Sequence, residues 1–198
     1  MELNPIIAKR WSPRAFDPAA VLTPSDLRPL LEAARWAPSH GNTQPARFIV
    51  GFRADSGFQR IFNALRPGNQ VWAGRASVLM VACRVTGDDR GPLPNTEYGV
   101  GLAVANLSLQ AVENGLVTHQ MGGFSKDAVR EAFGLPEDVV PVVVVAVGVL
   151  GDDSDLPEDL RAREHRVRKR KPLTETVFTG EWGSPLYSAE SADELHDQ

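Results

Sequence analysis

"APSHGNTQPARF", residues 37–48, crowds two prolines, a glycine, Ser39, His40, Asn42, Thr43 and Gln44 into the approach to an apolar run, Phe48-Ile49-Val50. Amides and hydroxyls both donate and accept hydrogen bonds. A loop dense in them at the mouth of a buried strand therefore has the chemistry to hold a polar ligand. The same residues would also suit a loop that satisfies its own backbone through side-chain turns. The flanking sequence decides between the two.

Upstream, Thr23-Pro24-Ser25-Asp26 is a helix-start signature, and Leu27, Leu30, Leu31 and Ala34 recur at helical spacing until Trp36. Downstream, "FIVGF" predicts a strand, "GFQRIFNAL" a helix and "SVLMVACRV" a buried strand. "TEYGVGLAVANLSLQAVEN", closed by Gly115, predicts a long core helix. "LVTHQM" predicts a short strand that runs into Gly122-Gly123-Phe124. Ser125 caps a helix that stops at Gly134, and "VVPVVVVAVGVL" is the strongest strand pattern in the chain. This alternation predicts a two-layer mixed fold built around one sheet. After Gly151 the composition turns acidic, then basic, then rich in proline and glycine. That segment has too little apolar content for a core of its own, so it is expected to wrap around another surface.

Composition narrows the function. The 198 residues are 42 % hydrophobic and 23 % charged, which favours one packed domain over disorder. The net charge of −4 argues against a nucleic-acid binder. No apolar run approaches the roughly 20 residues needed to span a bilayer, and the start lacks the apolar stretch of a signal peptide. With one cysteine, Cys83, inside an apolar run, a cytoplasmic location is expected. Two motif matches fail. "GVGLAV" at 99–104 lacks the third glycine and the preceding strand of a dinucleotide loop. The four histidines lack the spacing of a metal site, so no metal is expected.

Four polar clusters remain: Arg10, Ser12 and Arg14; the 37–48 loop; Met121-Gly122-Gly123-Phe124; and Arg168 with Arg170. Guanidinium groups bind oxyanions in planar, bidentate fashion. A Gly-Gly turn lets backbone N–H groups approach a flat ligand without a Cβ in the way. A phosphate at one end and a planar polar heterocycle at the other describe a nucleotide-like cofactor. Singly, each cluster also has a plain reading as a helix flank, a self-satisfied loop, a turn or a solvated basic face.

Taken in order, the clusters closely resemble the nitroreductase family of FMN enzymes. The opening R-x-S-x-R-x-F is matched by Arg10, Ser12, Arg14 and Phe16. The loop A-P-S-x-x-N-x-Q-P is matched by Ala37, Pro38, Ser39, Asn42, Gln44 and Pro45. Gly123-Phe124 matches the G-F before a helix, and Arg170, Pro172, Leu173, Glu175 and Val177 match the closing R-x-P-L-x-E-x-V. "NQVWAGRASVLMV" is similar to a segment that puts Asn69 near the cofactor.

The resemblance implies a nitroreductase-like α+β fold with a central mixed, mainly antiparallel sheet flanked by helices. Residues 1–178 would form one FMN-binding domain, and 179–198 an extended or partly disordered C-terminal tail. Two chains would intertwine as a homodimer, each tail wrapping the partner, with FMN at the interface. Arg10, Trp11, Ser12, Arg14, Gly122, Gly123, Arg168 and Arg170 would hold the FMN of their own chain, and Asn69 and Met121 would also lie at the cofactor. Pro38, Ser39, His40, Asn42 and Gln44 would reach the FMN of the partner. Arg14 would face flavin N1 and the C2 carbonyl, and the Gly123 N–H would face N5.

The implied activity takes hydride from NADH or NADPH and passes electrons to a nitroaromatic, quinone or similar small-molecule acceptor, without a catalytic side chain. Another flavin reaction on the same scaffold, such as dehydrogenation, and a non-catalytic FMN-binding or redox-sensing role are the alternatives. Ala46, His40, Trp11 and Trp72 depart from the family pattern or vary within it, and would reshape the pocket over the flavin.

Overall fold

A computed structural model describes residues 3–89 and 91–188. The chain opens with α1 (Pro5–Lys9), capped by Asn4, whose Oδ1 accepts from the Ile6 N–H at 2.9 Å. In α2 (Pro24–Arg35) the Asp26 carboxylate accepts from both the backbone N–H and the hydroxyl of Thr23, each at 2.7 Å. This is the start that the sequence predicts. A single 3-10 turn at His40–Asn42 leads into β1 (Ala46–Phe52). Two further helices follow, α3 (Ser56–Ala64) and α4 (Pro67–Ala73). Next come β2 (Val78–Val85) and a small ribbon of β3 (Gly87–Asp88) and β4 (Gly91–Pro92). The long α5 (Thr96–Glu113) precedes β5 (Val117–Met121). Then α6 (Lys126–Phe133) starts at Ser125, whose hydroxyl accepts from Ala128 N–H, and ends at Gly134 with φ 61°. β6 (Val139–Gly148) and α7 (Glu158–Glu164) complete the elements before a 3-10 turn at Leu173–Glu175.

The main sheet has the order β1-β2-β6-β5, and each of its three strand pairs is antiparallel. β2 and β6 lie inside, which is why their sequences are apolar on both faces. Val78, Met80 and Ala82 of β2 pack with Leu27 and Leu30 of α2 and with Val100, Val104 and Leu107 of α5. Leu79, Val81 and Cys83 face the opposite way, toward Ile61 of α3, Trp72 of α4 and Val129 of α6.

Helices therefore cover both faces, giving three layers where the sequence alternation suggested two. The segment after Gly151 is also more integrated than its composition implied. Leu156 and Leu160 are buried in the α3/α4 side of the core, so α7 belongs to the domain. Beyond it, the backbone folds back on itself, with Phe178 bridged to Pro185 and Leu186 N–H donating to the Val177 carbonyl. The rest of the expected tail, 189–198, lies outside the described residues.

Candidate functional site

The polar clusters sort onto two edges of the sheet. At the β5 edge, Arg168 donates through both terminal nitrogens, to the carbonyls of Arg10 and Ala8, each at 2.6 Å. This ties residue 168 to the N-terminal segment across 158 positions of sequence. Arg10 in turn reaches the Ser12 hydroxyl at 3.4 Å. Partial burial first, and then the charges of Arg168 and Arg170, push the Arg10 guanidinium below its ordinary pKa. Among the described residues, none of these three arginines has a carboxylate partner. Like charges gathered this way repel one another, and an anion is the ordinary remedy.

β5 delivers the Gly-Gly turn to the same edge. The Gly123 carbonyl accepts from the Asn69 side chain and from Arg66 N–H, both at 3.0 Å. A Cβ on Gly123 would stand 3.0 Å from Asn69 Nδ2, tight enough that the amide would have to give way. Gly122 faces open space, so its Cα side is free for a flat ligand. Met121 is buried beneath the turn, and Trp11 is half-buried between Arg10 and Ser12. Arg14 is paired: its guanidinium donates to Glu164 at 3.1 Å, while its own N–H donates to the other carboxylate oxygen at 2.8 Å. The Arg170 side chain donates to the adjacent Lys169 carbonyl.

The 37–48 loop stands at the β1 edge. Gly41, Asn42 and Gln44 all have positive φ, at 53°, 54° and 47°. Asn tolerates the left-handed region, but Gln adopts it rarely, so the loop holds a conformation that its surroundings must enforce. Part of its polarity is spent internally. The Ser39 hydroxyl accepts from Gln44 N–H at 2.9 Å, and the Gln44 amide donates to the Asn42 carbonyl at 3.3 Å. His40 Nδ1 lies 3.3 Å from the Asn95 amide at the start of α5. Pro38 and Asn42 are exposed, and the Asn42 side chain has no partner among the described residues.

β1 begins at Ala46, level with Arg84 and Val140, and β5 runs toward that same end but stops at Met121, level with Val144, Val81 and Ile49. β2 and β6 separate the two edges, about three strand spacings or ~14 Å. Within one chain, Arg168 is tied to Arg10 and Arg10 to Ser12, Asn69 is tied to Gly123 beside Gly122 and Met121, and the His119–Pro13 contact joins the 10–14 segment, with Trp11 and Arg14, to β5. The chain does not bring Pro38, Ser39, His40, Asn42 and Gln44 to them.

One expectation about the pocket is corrected. Trp72 is no pocket residue: it is 1 % exposed, stacked with Phe16 at 6.1 Å and tilted against His119 at 4.4 Å. Sequence reasoning also passed over Glu164, 150 residues from its partner Arg14, and Arg66, whose stem lies against Gly123. Neither sits in a motif that would have signalled it.

Residues 7–71 and 52–149 match the nitroreductase family. The chain belongs to the nitroreductase family. A 15.4 kDa protein of Mycolicibacterium smegmatis, itself uncharacterized, is 38 % identical over 71 % of this chain and 99 % of that one. A solved oxidoreductase containing FMN superposes with a TM-score of 0.87 at 35 % identity, covering 93 % of this chain and 94 % of the other. A nitroreductase family protein from Clostridium difficile 630 gives a TM-score of 0.70 at 25 % identity, over 91 % and 99 %. The α+β sheet flanked by helices is thus the nitroreductase fold, and the family motifs lie on its two opposite edges.

Proposed function

We propose that this nitroreductase-family chain is an FMN-dependent oxidoreductase that takes hydride from NADH or NADPH and passes electrons to a nitroaromatic, quinone or similar acceptor. One observation carries the reading: Arg10, Arg168 and Arg170 gather their charges with no carboxylate partner among the described residues, and the segment that bears Arg10 is joined through Pro13 to His119, two residues before Met121 and the Gly122-Gly123 turn that Asn69 meets. That donor set fits a dianionic phosphate at one end and a flat ring with polar edges at the other. The similar solved structure is described as containing FMN, and a relative in Archaeoglobus fulgidus carries the name "Putative NADH dehydrogenase/NAD(P)H nitroreductase".

When bound, FMN supplies the hydride and electron chemistry. The chain's own residues bind and orient it. Arg10, Arg168 and Arg170, with the Ser12 hydroxyl, would hold the phosphate. Asn69 and the backbone of Gly123 would meet the polar edge of the ring, and open Gly122 would let it lie close. Arg14 would stand at the ring with its guanidinium steadied by Glu164. No side chain is assigned proton transfer or nucleophilic attack. Donor and acceptor would use one face in turn, which gives ping-pong kinetics.

The ~14 Å between the edges favours a site completed by a second copy, whose 37–48 loop closes over the FMN held at the β5 edge of the first. Apolar side chains left bare along the C-terminal segment, among them Val167, Trp182 and Leu186, favour a tail that covers the partner. No helix among the described residues is long and apolar enough to cross a membrane, and the proposal places the enzyme in the cytoplasm.

The test is the absorption spectrum of the purified protein, followed by steady-state NAD(P)H oxidation with a quinone or nitroaromatic acceptor. A yellow protein with non-covalent FMN and parallel double-reciprocal lines is expected. A colourless protein that takes up no added FMN would contradict the proposal.

A further inference from the structure

His119 occupies a position where the strand pattern calls for an apolar side chain. Along β5, Val117 and Met121 point into the core with α3, α4 and α6, and alternation puts His119 on that same face between them. Burial is the largest influence on its ring, lowering its pKa, and the Arg14 charge acts in the same direction. The Pro13 and Ser12 backbone and the Glu164 carboxylate oppose that shift. The ring rests against Trp72 at 4.4 Å, and Nδ1 lies 2.9 Å from the Pro13 carbonyl. A carbonyl oxygen only accepts, so Nδ1 carries the proton of this bond, and a neutral ring leaves Nε2 bare.

Pro13 sits between Ser12 and Arg14, in the segment that carries the phosphate-binding groups. Two residues past His119, β5 ends at Met121 and hands over to the Gly122-Gly123 turn. The bond therefore joins the segment for one end of the ligand to the strand for the other. Glu164 fastens the same segment to α7 through Arg14 N–H and Ala15 N–H, and Arg168 fastens Arg10. His119 joins the segment to β5, while further along Phe16 and Asp17 bridge to Leu150 and Val149 just past β6.

Resting on the FMN reading above, we infer that His119 is a positioning residue that sets the spacing between the phosphate contacts and the ring contacts. Its imidazole rests on Trp72 and the Pro13 carbonyl. It acts through the Pro13 carbonyl, so its loss should be felt by a ligand that spans both ends more than by a ligand that uses only one.

The experiment compares FMN and riboflavin, which differ by the phosphate, on the full chain stripped of flavin. His119→Phe keeps a ring against Trp72 and removes the donor. His119→Gln carries a donor at the wrong reach, and His119→Asn restores one near the position of Nδ1. Both loss variants should weaken FMN binding about tenfold, as for one ordinary hydrogen bond, while riboflavin binding changes less than about twofold. His119→Asn should recover most of the FMN preference. An unchanged FMN-to-riboflavin ratio, or equal losses for both flavins, would overturn the inference. So would a pair of loss variants that fail to fold while His119→Asn folds, since the bond would then serve stability alone. A wild-type protein that binds neither flavin would instead sink the functional reading on which the inference rests.

Discussion

Glu164 clasps Arg14 at two points, taking the backbone N–H at 2.8 Å with one carboxylate oxygen and the guanidinium at 3.1 Å with the other. Its side chain is only 3 % exposed, and it also accepts from Ala15 N–H. A carboxylate so placed joins α7 to the N-terminal motif and fixes the Arg14 charge. Glu164→Gln should lower stability by about 2 kcal/mol, because a mostly buried guanidinium loses its counter-charge while part of the hydrogen bonding survives. Urea unfolding at neutral pH measures this directly, and a loss below experimental error would refute the role of the clasp.

Acid should weaken the fold through His119. Its folded pKa lies below the ordinary value near 6.5, chiefly because burial disfavours the charged ring. The unfolded chain therefore binds a proton in a window where the folded chain does not. The stability contribution is intact above about pH 6.5 and is lost as pH falls from there toward the lowered folded value. His119→Phe should flatten that part of the urea midpoint profile. A profile identical to wild type would show that another group is responsible.

Cys83 is fully buried in β2, and burial pushes its thiol up to about 11. At neutral pH it should resist a thiol reagent in the native protein and react at once in denaturant. Rapid modification of the native protein would contradict the packing described for β2.

Gly123→Ala should reduce FMN affinity with little effect on folding. The added Cβ falls 3.0 Å from Asn69 Nδ2, so the amide must shift from the Gly123 carbonyl that it now reaches. Fluorescence titration with FMN reads the affinity, and a thermal melt serves as the control. Unaltered affinity would remove Asn69 and Gly123 from the proposed site.

The sequence made legible what local chemistry dictates. The Thr23–Asp26 start of α2, Ser125 and Gly134 at the ends of α6, and the apolar runs of β2 and β6 all stand where the residues put them. Features set by distant partners were not legible. α4 is seven residues long and is held by Trp72 packing on Phe16 and His119, neither of which is near in sequence. α7 is held by Leu156 and Leu160 in the core and by Glu164 on Arg14, contacts that composition counts cannot foresee. The motif residues were found through their order, a resemblance to the family. Their division between the β1 and β5 edges emerges only from the strand order, which no motif encodes.

That division is tested most directly by mixing two defective proteins. Arg10→Ala removes a proposed phosphate contact at the β5 edge, and Asn42→Ala alters the loop at the β1 edge. If each FMN is held by one chain's β5 edge and covered by the partner's loop, both homodimers are impaired at both sites. Unfolding and refolding an equal mixture with FMN yields about half heterodimers under random pairing. Each heterodimer gathers both lesions into one site and leaves the other whole, so about a quarter of all sites should recover normal NAD(P)H oxidation. A mixture no more active than the mean of its parents, with subunit exchange verified, would contradict the shared site.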